Sequence, residues 1–426
     1  MKWTRQLSRL SRLNVKSIST ADHQTHIELC LPKPVHKMGI DNPKALGFPE
    51  PFNTKEALVK LACKLVKTNL HASFKENQVH SLSTQGTDSW TVAVPREGLW
   101  NGKDVPDRGP DILVQFRPEE EALDLSGFES ARAHYGDLVP IVKELASEEL
   151  TNNKIRAYSM NRLPGQHWDV AIARNRKQDS EIKIKLCRSL GKVFSRGFIR
   201  EQNCEGGDVV DKTIKPYMEA FLATKSTHME TYRVAAKLIL DNLDHLRRLP
   251  VWVTHPDLTA NNILANDDGE ITGLVDWARV THLPFGMGFC SMLLYFGDYD
   301  KVGEKLKVSG KDTAPAERAF WEAVTSESEY WSCNQERLRD SALGIDLAVK
   351  AGTLIASFKF LHDEKSGRPI DIDESRHRVQ VGETKALPKL MSYSVPFVRG
   401  PGQEDLPFKS RQKTRDIVKG LLGGKG

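Results

Sequence analysis

The first half of the chain combines one segment with helical spacing and several with the spacing of strands. Apolar residues recur every three or four positions across 53–70, which predicts an amphipathic helix. Asn53 and Glu56 have the spacing of a capping box at the start of this helix. Short runs rich in β-branched and aromatic residues predict strands at 79–82, 90–94, 112–117 and 155–160. This half is therefore predicted to be β-rich.

The second half carries longer segments with helical spacing. Helices are predicted over 180–200, in two stretches within 213–249, and over 316–324 and 346–361. The first of them carries several apolar residues, which indicates core packing rather than a cofactor site: Ile184, Leu186, Cys187, Leu190, Val193 and Phe194. The predicted fold class is therefore α+β, with a β-rich N-terminal part and a mainly helical C-terminal part.

One stretch inside the helical half, residues 251–277, has the sequence VWVTHPDLTANNILANDDGEITGLVDW. Apolar runs predict short strands at 251–253, 263–265 and 271–275, and Asp268 followed by Gly269 predicts a hairpin between the last two. The strands of a hairpin fold back on each other. Asn262 before one strand and Asp276 after the other are therefore expected at the same end, with Asp257 on the preceding loop.

These three side chains suit the transfer of a phosphoryl group. Carboxamide and carboxylate oxygens, as in Asn262 and Asp276, are ligands that a hard divalent cation prefers. Asp257 is then left to accept a proton from an attacking hydroxyl, and phosphoryl transfer needs both functions. The alternative is an ordinary hairpin that happens to be flanked by Asp and Asn residues.

The pattern H-x-D-L-x-x-x-N-I-L, followed by a short hairpin and G-L-V-D-W, closely resembles the catalytic core of the aminoglycoside phosphotransferase/choline kinase group. The resemblance implies a two-lobed, protein-kinase-like fold. It also implies that Asp257 is the catalytic base, that Asn262 and Asp276 are metal ligands, and that His255 is structural. Pro256 departs from the group, which usually has a glycine at this position.

The same resemblance implies a basic residue on the strand at 112–117 that holds the α- and β-phosphates of the nucleotide. The group usually has a lysine there, and Arg117 is the candidate in this chain, as in fungal-type members. Glu129 is its expected carboxylate partner, with Glu121 and Asp124 as alternatives. The competing interpretation is an arginine on an edge strand that faces the solvent.

Two further segments complete the expected nucleotide site. The loop 83–89, with Gly86 and Ser89, corresponds to the hairpin that covers the phosphates, although a plain surface hairpin has the same features. The segment from Met160 to Arg162 corresponds to the hinge, whose backbone groups would bond to adenine. A strand that ends in a Pro-Gly turn fits this second segment equally well.

Composition excludes several classes of function. The chain has 426 residues and a net charge of +5 spread along its length, without the basic stripe and interleaved aromatic residues of nucleic-acid binding. Its six cysteines lie far apart, which argues against a disulfide framework or a zinc site. No apolar run approaches the length of a membrane span.

The N-terminus bears on localisation. Residues 1–20 contain five basic residues and several serines, and the first acidic residue is Asp22. This composition is typical of a mitochondrial transit peptide. The favoured interpretation is instead a basic arm on a cytoplasmic enzyme.

Together these features predict an N-terminal extension (1–50), an N-lobe (51–160), a hinge (161–165), a C-lobe (166–395) and a basic tail (396–426). The predicted activity is phosphorylation of a small-molecule hydroxyl by ATP with Mg²⁺, in a monomer or homodimer. A protein substrate is disfavoured because the A-P-E motif of protein kinases is missing. The alternative is a pseudokinase or regulatory protein that binds a nucleotide or metabolite without turnover.

Overall fold

In the computed structural model of this chain, structure is described for residues 42–83, 85–86, 88–95, 111–174, 179–200, 207–223, 230–255, 258–277, 281–290, 292–300, 305–307, 313–333, 335–357, 387–391 and 393–396. These residues form two compact units. The first unit contains the described residues of 42–164 together with 273–277, and the second contains those of 165–272 and 281–396. The segment 1–20 and most of the predicted tail lie outside the described residues.

The first unit is built on an antiparallel sheet. Its strands are β1 (His80–Ser81), β2 (Trp90–Val94), β3 (Ile112–Pro118), β4 (Val142–Glu144) and β5 (Ile155–Asn161). They lie in the order β1-β2-β3-β5-β4, so β3 is the central strand. The helices of this unit are α1 (Lys55–Leu65), α2 (Leu125–Tyr135) and α3 (Glu148–Asn152).

The two faces of this sheet differ in character. Side chains alternate along a strand, so Val114 and Phe116 point to one face of β3 and Gln115 to the other. Val114 and Phe116 are buried in a cluster with Leu58 and Leu61 of α1. Burial of one such side chain contributes about 1.5–3 kcal/mol, so the apolar face and α1 form the core of this unit.

The start of α1 differs from the prediction. The N-cap is Thr54, whose hydroxyl accepts a hydrogen bond from the N–H of Ala57 at 3.2 Å. Asn53 instead directs its amide to Glu50 at 3.5 Å. The predicted capping box of Asn53 and Glu56 is therefore wrong, because a second good capping residue follows Asn53 directly.

The second unit is mainly helical. Its helices are α4 (Trp168–Arg174), α5 (Asp179–Phe194), α6 (Gly207–Val209), α7 (Lys215–Ala223), α8 (Glu230–Leu240), α9 (Leu243–Arg247), α10 (Met292–Phe296), α11 (Thr313–Glu327), α12 (Glu329–Ser332), α13 (Gln335–Asp340), α14 (Ala342–Ser357) and α15 (Leu387–Met391). Aromatic rings join them: Phe194 of α5 and Phe320 of α11 have ring centroids 6.0 Å apart. Phe289 packs edge-on against Phe320 at 5.5 Å.

Short strands lie among these helices. β7 (Val251–Thr254) pairs with β10 (Thr281–Pro284), and β6 (Gln166–His167), β8 (Ile263–Ala265) and β9 (Ile271–Leu274) form a second small sheet. The predicted α+β class, with a β-rich N-terminal region and a mainly helical C-terminal region, is confirmed.

Candidate functional site

The face of the first sheet opposite α1 carries polar side chains. We call it the polar face and define it by Leu113, Gln115, Arg117, Tyr158 and Met160. The register places Leu113 opposite Met160, Gln115 opposite Tyr158 and Arg117 opposite Arg156. Leu113, Gln115 and Met160 are half-buried. Leu113 and Met160 form an apolar end of this face, and Gln115 and Arg117 form a polar end.

Arg117 is held by other groups of the protein. Its side chain is buried, and its Nε donates to the backbone carbonyl of Glu121 at 2.6 Å. Its Nη1 donates to Oε1 of Gln115 at 3.3 Å. Among the described residues, Arg117 therefore bonds to Glu121 and Gln115 rather than to the expected partner Glu129. Glu129 occupies an exposed position of α2.

The alternative carboxylates have other roles as well. Glu121 binds Arg117 through its backbone carbonyl. Asp124 is the N-cap of α2, where its carboxylate accepts from the N–H of Ser126 at 3.1 Å and from the hydroxyl of Ser126 at 2.6 Å. These hydrogen bonds, led by that from the hydroxyl, lower the pKa of Asp124.

Gln115 links two of the predicted nucleotide-site residues and was not among the candidates predicted from the sequence. Its Nε2 donates to the hydroxyl of Ser89 at 3.1 Å, while its Oε1 accepts from Arg117. A Cβ atom added to Gly86 would lie 3.0 Å from the same Ser89 hydroxyl. The signal was present: Gln115 and Arg117 are two residues apart on one strand and must share a face.

The loop that contains Gly86 and Ser89 is fixed from inside by Gln85. This buried side chain donates to the carbonyl of Leu82 at 2.8 Å and to that of Thr91 at 3.0 Å. Its Oε1 accepts from the N–H of Thr91 at 2.6 Å. The Gln85 side chain therefore joins the two ends of this loop through hydrogen bonds to their backbone groups.

The predicted hinge follows the polar face along β5. Met160 is the penultimate residue of β5, and its side chain is half-buried. The N–H of Arg162 donates to the carbonyl of Asp111 at 2.8 Å, and its exposed guanidinium lies 3.4 Å from the Asp111 carboxylate. In this structure the N–H of Arg162 is thus engaged by the protein.

Asp276 occupies an unusual backbone conformation in the first unit. Its φ is 66°, in the left-handed region that few residues other than glycine adopt. The next residue, Trp277, is buried, lies 5.3 Å from the ring of Tyr135, and donates its indole N–H to the carbonyl of Leu274 at 2.9 Å. Such strained residues persist only where the surroundings fix them, and they cluster at functional sites.

In the second unit, β7 leads into the segment with the predicted base. His255 follows β7 and is buried. Pro256 and Asp257 lie outside the described residues. Asn262 ends a short 3-10 turn, in which its N–H donates to the carbonyl of Thr259 at 2.9 Å.

This segment is anchored by a tyrosine that was not among the candidates predicted from the sequence. The hydroxyl of Tyr295 on α10 donates to the carbonyl of Leu258 at 2.9 Å. Tyr295 is buried, and its ring meets Trp168 edge-on at 4.9 Å. The residue directly after Asp257 is thereby held by a contact that spans 37 positions in sequence.

The predicted hairpin is confirmed between β8 and β9. The side-chain oxygen of Asn266 accepts from the N–H of Asp268 at 3.1 Å and from that of Glu270 at 2.8 Å. The N–H of Asn266 donates to the carbonyl of Glu270 at 2.9 Å. Gly269 has a φ of 83°, which explains why a glycine stands at this turn.

Among the described residues, no three His, Cys, Asp or Glu side chains lie close enough to hold an ion; Asp257 is outside this set, and Asn262 is not of these types. The oxygen atoms of Asn262 and Asp276 are nevertheless of the kind that Mg²⁺ accepts.

None of the helices within the described ranges is long and apolar enough to cross a bilayer.

Three solved structures illustrate the similarity of the chain to known proteins. One is an ethanolamine kinase of Plasmodium vivax, with 12% identity over 81% of this chain and 95% of that chain, and a TM-score of 0.42. Another is a thermostable mutant of aminoglycoside phosphotransferase APH(4)-Ia in a ternary complex with AMP-PNP and hygromycin B, with 11% identity over 77% of this chain and 97% of that chain, and a TM-score of 0.44. A third is the GDP complex of an aminoglycoside 2′-phosphotransferase-IIIa, with 13% identity over 78% and 96% and a TM-score of 0.48.

A comparison with curated protein sequences gives no match. A sequence model of the phosphotransferase enzyme family matches residues 104–304. This range includes Arg117, Glu129, the hinge and the whole stretch 251–277, and it begins after Gly86 and Ser89. Over residues 104–304 the chain thus carries the sequence pattern of the phosphotransferase enzyme family, which confirms the resemblance predicted from its sequence.

Proposed function

We propose that this protein transfers the γ-phosphoryl group of ATP to a hydroxyl group of a small molecule. The observation that carries the proposal is the family match over 104–304, which contains the three side chains predicted to act in the reaction. The family match supports the phosphotransferase class. ATP as donor and a small alcohol as acceptor are our extension of it.

The acceptor side of the reaction is assigned to Asp257. Its carboxylate would accept a hydrogen bond from the acceptor hydroxyl and take its proton as the new O–P bond forms. The bond between the γ-phosphorus and the bridging oxygen breaks, and ADP leaves with the electron pair. The anchoring of Leu258 by Tyr295 supports this role, because it limits movement of the residue next to the base.

Asn262 and Asp276 would hold Mg²⁺. Both provide oxygen ligands, and the φ of 66° at Asp276 is the kind of strained conformation found at ligand-binding residues. When bound, Mg²⁺ would neutralise charge on the transferred phosphoryl group. His255, buried after β7, would serve as a structural support of this segment.

The nucleotide side is assigned to the first unit. Met160 and Arg162 would flank the base, while Gly86, Ser89 and Arg117 would lie towards the phosphates. The hydrogen bonds from Gln115 to Ser89 and from Arg117 to Gln115 support a shared role for the last two. Glu129 would act only if Arg117 changed partners on nucleotide binding.

The test is turnover with a matched inactive variant. The full chain is incubated with ATP or GTP, Mg²⁺ and a panel of aminosugars and amino-alcohols, and phosphorylated products are identified by mass spectrometry. We expect one acceptor class to be phosphorylated by the wild type, and Asp257→Ala to lose more than about 1,000-fold in kcat. Loss of no more than a few-fold in Asp257→Ala would contradict its assignment as base.

A second candidate is a protein that binds nucleotide without turnover. The observation that favours it is the engagement of Arg117 by Glu121 and Gln115, which leaves the phosphates without a mobile cation from this residue. A thermal-shift measurement with ATP and Mg²⁺ separates the two candidates. Stabilisation by ATP, with no product across the whole acceptor panel, would support the second.

A further inference from the structure

The polar face of the first sheet distinguishes two side chains by their position along β3. Leu113 lies opposite Met160, and Met160 is the residue that the proposed function places beside the nucleotide base. A strand rises about 3.3 Å per residue, which puts Gln115 about 7 Å and Arg117 about 13 Å from Leu113 along the strand. Gln115 is therefore the nearer of the two polar groups to the apolar end.

Their accessibility differs in the same direction. Gln115 is half-buried, whereas Arg117 has only 6% of its surface exposed. The guanidinium of Arg117 is directed to a backbone carbonyl beyond the end of β3, that of Glu121. A phosphate group approaching the polar face would thus meet the Gln115 amide first.

The orientation of that amide is determined by its neighbours. A guanidinium can only donate hydrogen bonds, so the oxygen of Gln115 must face Arg117 and its NH₂ group must face Ser89. The amide nitrogen carries two N–H donors, and the bond to Ser89 uses one of them. The second N–H lies in the same amide plane, so its direction is fixed as well.

We propose that Gln115 is the side chain of β3 that contacts the nucleotide phosphates, and that Arg117 is a positioning residue which acts through it. This inference rests on the proposed nucleotide-binding function. Arg117 would polarise the Gln115 amide and fix its rotamer, and Ser89 would receive one N–H while the other is presented to a phosphate oxygen. The phosphate contact is thus a neutral donor supported by a buried cation.

The charge of the contact gives sharp expectations for ATP affinity. Gln115→Leu removes both donors and should weaken binding about ten-fold. Gln115→Glu keeps an acceptor for Arg117 but repels the phosphates, and it should weaken binding more than Gln115→Leu does.

The experiment measures the Kd of the full chain for ATP with Mg²⁺ by isothermal titration calorimetry, together with the melting temperature of each variant. Gln78→Leu is the matched control, since Gln78 is exposed elsewhere in the same unit. We expect the Kd of this control to equal that of the wild type. Gln115→Glu should retain the wild-type melting temperature, which separates its effect on binding from an effect on folding.

A double-mutant cycle tests the role of Arg117. Arg117→Lys alone should weaken ATP binding about three- to ten-fold, because a lysine lacks the two separate donor atoms, Nε and Nη1, that bond to Glu121 and Gln115. In the Gln115→Leu background the same change should leave the Kd unaltered while still lowering the melting temperature. Additive effects on Kd would mean that Arg117 contacts the phosphates directly, and the inference would be wrong.

Two results separate this inference from the proposed function. If the wild type binds ATP and both Gln115→Leu and Gln115→Glu bind it with the wild-type Kd, this inference is wrong, whereas the proposed function is not affected. A wild type that binds neither ATP nor GTP overturns the proposed function and this inference with it.

Discussion

The hairpin region of the second unit and the polar face of the first are organised on different principles. In the hairpin, a single side chain, Asn266, bonds to two backbone N–H groups within four residues of itself. At the polar face, Gln115 and Arg117 come from β3, and their neighbour Ser89 comes from a loop 26 positions before Gln115 in sequence. Local chemistry determines the first arrangement, whereas strand register determines the second.

That difference explains which predictions from the sequence succeeded. The hairpin, the strands around it and the α+β class followed from turn residues and periodicity, which act over a few residues. The partner of Arg117 did not, because it depends on how the chain turns after β3. The 3-10 turn at Glu119–Glu121 brings the backbone carbonyl of Glu121 to the Arg117 guanidinium. Because every residue has a backbone carbonyl, residue types do not predict which one is the acceptor.

Long-range anchors were missed for the same reason. Tyr295 and Leu258 are joined by one hydrogen bond, and the acceptor is again a backbone carbonyl. Asn53 and Thr54 are both good capping residues, and only the structure shows that the second is used. The sequence thus predicts the candidates for a site better than it predicts their partners.

The largest expected effect within the comparison concerns Asp276. We expect Asp276→Asn to lower kcat at least about 100-fold, because the carboxylate charge is lost while the amide keeps a similar shape. Asparagine tolerates a positive φ, so the melting temperature should stay close to that of the wild type. Circular dichroism and steady-state kinetics provide the two measurements. A variant that keeps full kcat would remove Asp276 from the set of proposed metal ligands.

A stability effect comes next, at the start of the second unit. Gly165 has a φ of 101°, and a Cβ atom there would lie 2.3 Å from Oγ1 of Thr272 and 2.8 Å from the carbonyl oxygen of Ala265. Gly165→Ala should therefore lower the free energy of unfolding by about 2 kcal/mol or more.

The control for this change is Gly207→Ala. No heavy atom lies within 4 Å of a Cβ placed on Gly207, and its φ is not in the left-handed region. Urea denaturation of the two variants should show a decrease for Gly165→Ala alone. Equal stabilities would contradict the close approach of Gly165 to β8 and β9.

Tyr295 allows a test of long-range anchoring. Tyr295→Phe removes the hydrogen bond to Leu258, and we expect the free energy of unfolding to fall by about 1 kcal/mol. Because the anchored residue adjoins Asp257, kcat should fall about ten-fold while the KM for ATP stays unchanged.

Tyr393→Phe is the matched variant for that test. The hydroxyl of Tyr393 is also buried and accepts from the indole N–H of Trp321 at 2.8 Å, so its loss should cost a similar amount of stability. Its kcat should nevertheless equal that of the wild type. If both variants lost kcat to the same extent, the effect would be a general consequence of destabilisation rather than of anchoring.

The smallest expected effect concerns the cap of α2, the helix that follows the polar face. Asp124→Ala should reduce the free energy of unfolding by about 1 kcal/mol at pH 7, because the N–H of Ser126 loses its acceptor. The pKa of Asp124 is lowered by its hydrogen bonds to Ser126, so the charged cap stabilises the folded state above the unfolded pKa of about 3.9. This contribution is lost as the pH falls through the lower, folded pKa. Asp124→Asn keeps a capping oxygen that does not titrate, and the difference in stability between it and the wild type should be constant from about pH 5 to 8 and change only below about pH 4. If the difference in free energy of unfolding between Asp124→Asn and the wild type changed between about pH 5 and 8, a group other than Asp124 would be titrating, and the predicted effect of the Asp124 charge would be wrong.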